Sequence, residues 1–193
     1  MSTSIDSPER AINGLLSVAH LREEPRLARV YTFVLRAGEV TIDDIVDALD
    51  TPRTTAYADA STLVDRGVLT RDETAKTHTY EAVPLSLTAD LDGDEYTVTP
   101  TLIEAVGRAP RDRDLDLLLE REGLGTLAAA LTYAVPYAED GISERVAARE
   151  LDLQYAFAVA VLQALREVIT DMKPVDPYFD EIRNARDQPP TER

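Results

Sequence analysis

Cysteine is absent from the 193 residues, and histidine occurs only at His20 and His78. The lack of thiols excludes disulfides, thiolate metal sites and cysteine nucleophiles. With two histidines, and without a glycine-rich phosphate loop or a nucleophile elbow, the sequence contains no metal-ligand spacing or catalytic motif. We therefore expect a protein that is not an enzyme and that uses no cofactor, metal or catalytic residue.

Long apolar runs are missing as well. The longest lies around Ala156 to Val161, whereas a membrane-spanning helix needs about 20 residues. Met1 to Arg10 is polar and has no apolar segment of the kind found in signal peptides. We therefore expect a soluble, cytoplasmic protein without a membrane partner.

Basic residues are scarce, and nearly all of them are arginine. The chain has 36 acidic and 20 basic residues, a formal net charge of −16, and its only lysines are Lys76 and Lys173. This acidic, lysine-poor composition resembles that of proteins from salt-loving archaea, so we expect a halophilic, archaeal protein. Such a charge repels phosphate, but a Debye length of about 3 Å near 1 M salt leaves only local charge to act. Nucleic acid therefore stays a partner class.

Capping and spacing signals predict three helices ahead of residue 50. One lies within residues 1–25 and is an option for a contact with a second copy. Arg26 to Ala37 carries apolar residues at i, i+3, i+4 and i+7, and Gly38 ends this helix. A short helix starts at Thr41, because Thr41 and Asp44 have the spacing of a capping box. Its expected buried face consists of Ile45, Ala48 and Leu49.

The next helix, within Thr51 to Arg66, is the central element of the prediction. Thr51 is the expected N-cap, and Pro52 takes the first helical position, where a missing N–H has no cost. The expected inner face consists of Ala56, Ala60 and Leu63. The expected free side consists of Arg53, Thr54, Tyr57, Ala58 and Ser61.

Two hairpins are predicted to follow. The strands Val68–Asp72 and Thr77–Val83 alternate in polarity and are separated by residues 73–76. A second pair of alternating segments, Leu85–Leu91 and Tyr96–Val98, flanks a turn signal at residues 92–93. We expect the second hairpin to extend the sheet of the first.

After the second hairpin the apolar spacing is helical. Pro100 to Arg108 is the first expected helix, and residues 111–114 form a charged connector. Further helices are expected at Leu115–Glu122, Leu124–Ala138, Ser143–Leu151 and Asp152–Thr170. Tyr178, Phe179 and Ile182 are expected to dock as a final turn before a polar tail.

These elements define a fold class that is mainly α with a small antiparallel β-sheet (α+β). It has an N-terminal winged helix-turn-helix, then a β-hairpin and a C-terminal helical bundle. The expected domains are residues 1–25, a winged unit with its hairpins at 26–99, a helical dimerisation or effector domain at 100–173, and a largely disordered tail at 174–193. Leu151-Asp152 echoes Leu49-Asp50 in its spacing to a later leucine. The helical domain is therefore either a dimer interface or a degenerate second helix-turn-helix.

Three segments carry a resemblance to a known family. They are T-x-x-D-I-V-D-A-L from Thr41, T-P-R-T-T-A-Y-A from Thr51, and L-V-D-R-G-V-L-T-R from Leu63. Together they resemble the winged helix-turn-helix transcription regulators of archaea and bacteria, MarR-like and TrmB-like in the broad sense and of haloarchaeal type. The resemblance covers residues 26–83 and implies a DNA-binding fold without specifying a subfamily.

The resemblance implies which residues contact duplex DNA, because the N-terminal half of the third helix enters the major groove in such proteins. The implied base-facing residues are Arg53, Thr54, Tyr57 and Ala58, with Ser61 on the same side. The implied phosphate contacts are Thr41 and Thr55, through hydroxyl or backbone N–H groups. The implied wing contacts are Arg71, Lys76 and His78, although a lone strand histidine such as His78 is more often structural.

We therefore expect a sequence-specific transcription regulator that binds double-stranded DNA, acts as a homodimer, and has an unknown small-molecule effector. Six aspartates oppose this reading, because they would repel phosphate wherever they face DNA. They are Asp43, Asp44, Asp47, Asp50, Asp59 and Asp65. The alternative is a winged-helix module for protein–protein assembly without base readout.

Overall fold

The computed structural model describes residues 21, 23–74, 76–91, 94–139, 141–180 and 182. Its helices are α1 (Pro25–Ala37), α2 (Ile42–Leu49), α3 (Arg53–Asp65), α4 (Pro100–Arg108), α5 (Arg113–Arg121), α6 (Gly123–Ala138), α7 (Glu144–Glu150) and α8 (Tyr155–Met172). Its strands are β1 (Val40–Thr41), β2 (Leu69–Asp72), β3 (Thr79–Ala82), β4 (Leu87–Leu91) and β5 (Asp94–Val98). The predicted fold class, mainly α with a small antiparallel sheet, is confirmed. The helix predicted within residues 1–25 lies mostly outside the described residues, which begin at residue 21.

Helix α1 forms the centre of an N-terminal core. Its predicted apolar stripe is buried, and its members are Leu27, Val30, Tyr31 and Val34. The helix ends at Gly38, whose N–H donates to the Val34 carbonyl at 2.9 Å. Gly38 has a φ of 83°, a left-handed conformation that glycine adopts at low cost. The predicted end of this helix is therefore confirmed.

Helix α2 starts at the predicted capping box. The Asp44 N–H donates to the Thr41 hydroxyl at 3.3 Å, and the Thr41 N–H donates to the Asp44 carboxylate at 2.8 Å. Ile42 and Ile45 are buried, but Ala48, an expected inner residue, is exposed. A helix turns about 100° per residue, so Ala48 lies roughly 90° from the centre of the buried face. The expectation for Ala48 is wrong for this reason.

Helix α3 starts at Arg53, one residue later than the sequence predicts. Asp50 ends α2 in the left-handed conformation, with a φ of 49°, and the Thr51 N–H donates to the Val46 carbonyl at 3.4 Å. Pro52 then takes the capping position without a side-chain hydrogen bond. The prediction of Thr51 as N-cap is therefore wrong, because Thr51 belongs to the turn that closes α2.

Strands β1, β3 and β2 form an antiparallel sheet in that order, and β2 and β3 are the wing. Tyr80 of β3 pairs with Val40 of β1 on one side and with Arg71 of β2 on the other. Tyr80 and Leu69 are buried in the N-terminal core. These two side chains hold the wing against the helices.

The second hairpin, β4–β5, is a separate two-stranded sheet, so the expectation that it extends the first sheet is wrong. Strand β3 is already paired on both edges, so a further hairpin could join only at the free edge of β1 or β2. After β3 the chain is held to α1 instead, because the buried Tyr31 hydroxyl donates to the Val83 carbonyl and accepts from the Leu85 N–H, both at 3.0 Å. Pro84 between them has no N–H for a neighbouring strand. The turn predicted at residues 92–93 lies outside the described residues.

Two apolar cores share helix α4. Ile103 belongs to the N-terminal core, whereas Leu102 and Val106 belong to a larger core that includes residues of α5 to α8. Gly107 lets α4 approach α1 closely, since a Cβ there would lie 3.1 Å from the Arg29 Cγ. The cores are therefore in direct contact, and the division of the chain at residue 99 stays a prediction.

The predicted connector and the segment after α8 both contact the helical part of the fold. In the expected connector at residues 111–114, the Asp112 carboxylate caps α5 by accepting two backbone N–H bonds. Phe179 docks in the larger core as the sequence predicts, and the tail expected at 174–193 stays a prediction. Residues 183–193 lie outside the described part of the chain.

Candidate nucleic-acid interface

The exposed face of α3 follows from helical spacing. Ala56, Ala60 and Leu63 are fully buried against the other helices, as predicted. The predicted free side is exposed, and it consists of Arg53, Thr54, Tyr57, Ala58 and Ser61. Tyr57 is 46% exposed, which is high for a large aromatic residue. Helix α3 therefore presents a polar face with one aromatic side chain, and Thr55 lies half-buried at its edge.

Arg53 lies in the first turn of α3 and contacts two neighbours. Its guanidinium forms an ion pair with the Asp43 carboxylate of α2, and it lies 5.6 Å from the centre of the Tyr57 ring. Both charged side chains are more than half exposed, so the pair contributes at most about 1 kcal/mol. An exposed cation–π contact adds about 0.5–1 kcal/mol. Arg53 is therefore oriented by its neighbours but is free to exchange them.

A cleft between α3 and the wing brings together predicted residues from three parts of the chain. Five of them line it, namely Thr41, Arg53, Tyr57, Lys76 and His78. Arg71 is not among the lining residues, and on β2 its guanidinium forms an ion pair with Glu73. Thr54, Ala58 and Ser61 continue the exposed surface along α3. The structure therefore joins the helix and the tip of the wing into one surface.

Thr41 is engaged by its own helix cap. Its N–H and its hydroxyl both donate to the Asp44 carboxylate, at 2.8 and 2.7 Å. These hydrogen bonds hold the pKa of Asp44 below its ordinary value. A phosphate at this helix start has to compete with that carboxylate, so the phosphate role expected for Thr41 stays a prediction.

Asp59 lies on α3 but does not face outward with the base-facing candidates. Its side chain is 3% exposed, and the Arg26 Nε donates to its Oδ2 at 2.7 Å. Burial raises the pKa of Asp59, and the contact with Arg26 partly offsets this. Asp59 follows Ala56 by three residues, a spacing that places it on the inner face and that reveals its orientation in the sequence. Its partner Arg26, on another helix, leaves no sequence signal.

Asp43 is one of the aspartates that would repel phosphate wherever they face DNA, and it forms an ion pair with Arg53. The two residues lie on successive helices, and only the angle of the turn between them decides that they meet.

In the described part of the chain, no group of three or more acidic, histidine or cysteine side chains is placed to hold a metal ion.

Comparisons with known proteins agree with this geometry. Residues 27–86 match the model of a family described as sugar-specific transcriptional regulator TrmB. Residues 109–174 match the model of a family of unknown function, DUF7437. Each match covers about a third of the chain, and no curated protein or solved structure matches it.

The TrmB match confirms the resemblance over this segment. It supports a DNA-binding transcription regulator of the winged-helix type, and that family is a class of regulators rather than of enzymes. A search of the described helices for membrane spans finds none that is both long and apolar enough.

Proposed function

We propose that the chain is a sequence-specific transcription regulator that binds double-stranded DNA with α3 in the major groove and the wing beside it. The observation that carries the proposal is the cleft that joins Arg53 and Tyr57 of α3 to Lys76 and His78 of the wing. These residues come from distant stretches of chain and face the same side. A winged helix needs this arrangement to contact a base edge and the adjacent backbone together.

Arg53 reads a base pair in this proposal. A guanidinium donates two parallel hydrogen bonds to O6 and N7 of guanine, and such a contact discriminates against the wrong base by about 1–3 kcal/mol. Thr54 and Tyr57 extend the base-facing surface, Ala58 offers a methyl group to thymine, and Ser61 lies further along the helix.

The remaining candidates contact the backbone. Lys76, Arg71 and His78 contact phosphates or the minor groove beside the wing, while Thr55 and the N–H groups of the first α3 turn contact a phosphate of the major groove. Such contacts fix the position of the protein on the duplex and carry no direct sequence information.

The exposed aspartates set the conditions for binding. Asp44, Asp47, Asp50 and Asp65 remain exposed on α2, α3 and the turn between them, and at low ionic strength they repel phosphate. Near 1 M salt the Debye length of about 3 Å confines this repulsion to charges in contact with DNA. We therefore place the protein in the cytoplasm of a salt-loving archaeon.

The regulator acts as a homodimer in this proposal. Two copies of α3 then enter successive major grooves, with half-sites about 34–36 Å apart. The larger core provides the contact between copies or the response to an effector. The TrmB match does not extend to that core, so no sugar is proposed as the effector.

Site selection from a random duplex library, followed by affinity measurements near 1 M salt, tests the proposal. Arg53→Ala combined with Tyr57→Ala is expected to lower the preference for the selected site by about tenfold or more, with an unchanged thermal melt. Arg113→Ala on α5 also removes an exposed arginine and should have no effect. An unchanged preference in the double variant contradicts the proposal, and chromatin immunoprecipitation with sequencing in the host reports the natural sites.

The second candidate function is protein–protein assembly through the winged helix. The exposed aspartates of α2 and the engagement of Thr41 by Asp44 favour it, because both disfavour phosphate. If the selection enriches no duplex at low or high salt, this candidate replaces the regulator.

A further inference from the structure

Helices α7 and α8 repeat the local construction of α2 and α3. Ser143 corresponds to Thr41, since each hydroxyl accepts the N–H of the residue three positions on, at 3.4 and 3.3 Å. Asp152 corresponds to Asp50, since both have positive φ, at 51° and 49°, and the next helix starts three residues later in each case. The same offset pairs buried residues, namely Ile45 with Ala147, Ala56 with Ala158, Ala60 with Leu162 and Leu63 with Leu165. The α7–α8 pair therefore has the construction of a helix-turn-helix.

Helix α8 is not free to read bases. Val159 and Ala160 occupy the positions that Tyr57 and Ala58 have on α3, and both are half-buried. Val159 packs against the larger core, and neither side chain offers a hydrogen bond to a base edge. The free surface of the pair lies instead along α7 and the turn that follows it.

A groove along α7 combines basic and apolar side chains. Arg145 and Arg149 line it, and both are exposed and share one face because they are four residues apart. Val146 and Tyr155 line it as well and are 40% and 54% exposed, which makes them two of the few large apolar residues exposed in the described structure. Exposed apolar side chains rimmed by charge indicate a contact surface for a protein. Arg149 pairs with Glu150 on the same helix, so in this chain of net charge −16 an acidic partner has to displace Glu150 to reach Arg149, whereas it can contact Arg145 directly.

Helix α2 has the matching chemistry. Asp43 and Asp47 occupy the positions in α2 that Arg145 and Arg149 occupy in α7, and both are exposed. Each pair spans one helical turn, so two antiparallel helices bring each aspartate opposite an arginine. Val46 is half-buried beside the aspartates and offers apolar surface to the groove.

We propose that the groove along α7 binds the acidic face of α2 from a second copy of this chain, and that a two-fold axis repeats the contact. The proposal rests on the homodimer of the proposed function and names its interface. Phosphate is the poorer occupant, because it offers no apolar surface to Val146 and Tyr155.

Sedimentation equilibrium of the full chain tests the interface. The wild type is expected at twice its chain mass of 21.3 kDa. Arg145→Gln with Arg149→Gln, and separately Asp43→Asn with Asp47→Asn, should each raise the dimer dissociation constant about tenfold or more, since four ion pairs are lost per dimer. The matched control, Arg113→Gln with Arg121→Gln on α5, removes two exposed arginines and should leave the constant unchanged.

A charge swap identifies the occupant. Arg145→Glu with Arg149→Glu, and Asp43→Arg with Asp47→Arg, should each yield a monomer, whereas one chain that carries all four substitutions should dimerise again. Circular dichroism checks that each variant is folded. If a charge-reversal variant is unfolded, the dissociation constants of the glutamine and asparagine variants decide whether the interface exists. A monomeric wild type, a dimer insensitive to the arginines, or a folded four-fold variant that stays monomeric overturns the proposal.

DNA affinity separates this proposal from the regulator proposal. If dimerisation responds to the charge substitutions as expected but the dimer binds no selected duplex, the interface is supported and the regulator proposal is refuted. If the arginine variants lose DNA affinity while their dimer constant is unchanged, the groove binds phosphate and the interface is wrong.

Discussion

Two arginine–aspartate pairs show how burial decides the role of a charged residue. Arg53 and Asp43 are both exposed, so their pair is weak and exchangeable. Asp59 is buried, and its partner Arg26 reaches solvent, so this pair holds α1 against α3. The first pair suits a binding surface, and the second suits a structural contact.

Asp59 makes stability depend on pH in a definite direction. Burial raises the folded pKa of Asp59 above its ordinary value of 3.8, so the folded chain holds the proton more tightly than the unfolded chain. Its contribution to stability is therefore fully present below pH 3.8 and declines as pH rises through the raised pKa. Asp59→Asn lacks this decline, because it does not ionise.

Urea unfolding at a series of pH values from 4 to 7 measures the effect. The free energy of unfolding of the wild type should fall relative to that of Asp59→Asn as pH rises, whereas Asp65→Asn, an exposed position on the same helix, should run parallel to the wild type. A constant difference between wild type and Asp59→Asn contradicts the assignment.

At the scale of elements, one hydroxyl anchors the segment between the two sheets. Tyr31 reaches from α1 to the segment after β3 and satisfies both the Val83 carbonyl and the Leu85 N–H. Burial raises the pKa of Tyr31 far above its ordinary value, so the hydroxyl stays protonated and donates at every physiological pH. The path of the chain from the wing to the second hairpin therefore depends on a single side chain of α1.

Tyr31→Phe should lower the free energy of unfolding by about 1–2 kcal/mol, because it removes two part-buried hydrogen bonds to the backbone. Tyr133→Phe on α6 removes a hydroxyl from a half-buried tyrosine and should cost less than about 0.5 kcal/mol. Urea unfolding of both variants makes the comparison, and equal losses would show that the Tyr31 hydroxyl is not structural.

At the scale of the whole molecule, a buried carboxylate connects the two cores. Glu104 of α4 is 4% exposed. It accepts hydrogen bonds from the Thr32 hydroxyl of α1 and from the Arg108 Nε, the latter at 2.8 Å, and it lies 3.8 Å from the Arg36 guanidinium. Arg108 in turn pairs with Asp171 of α8. This polar cluster links the winged unit to the bundle.

Glu104→Ala should cost about 2–4 kcal/mol, a loss moderated because Arg36 and Arg108 still reach solvent. It should also weaken the coupling of the cores, so that they no longer unfold together. In calorimetry the wild type is expected to give one transition, whereas the variant should give a calorimetric enthalpy above its van't Hoff enthalpy, the sign of unfolding in more than one step. Glu120→Ala on α5 removes an exposed carboxylate as a control, and a single sharp transition in Glu104→Ala would refute the coupling.

Local patterns account for the elements that the sequence predicted correctly. The Thr41 capping box, the end of α1 at Gly38 and the exposed face of α3 each depend on residues within about two helical turns. The start of α3 was placed one residue early, because the Asp50 turn draws Thr51 into the closure of α2. Residues near in sequence therefore predicted the elements and the exposed face of the site, and missed the start of α3 and the exposure of Ala48.

Contacts between distant residues explain the rest. The anchor of the segment between the sheets joins Tyr31 to residues more than fifty positions later, and no spacing rule relates the two. The orientation of Arg53 by Asp43 and the gathering of Lys76 and His78 beside α3 depend likewise on how the wing packs. The sequence could name these site residues and could not show that they share one cleft.

The sequence by itself determined the helix-turn-helix, its wing and the side of α3 that faces outward, because capping, turn chemistry and helical periodicity are local properties. Tertiary structure alone decided which aspartates face solvent, which arginines are paired, and how α4 joins the two cores. Those outcomes depend on burial and on distances between charges, and both are set only when separate elements pack. The echo of Leu49-Asp50 by Leu151-Asp152 already related α2 to α7 in the sequence, and the folded chain decided which side chains of the two helices are exposed.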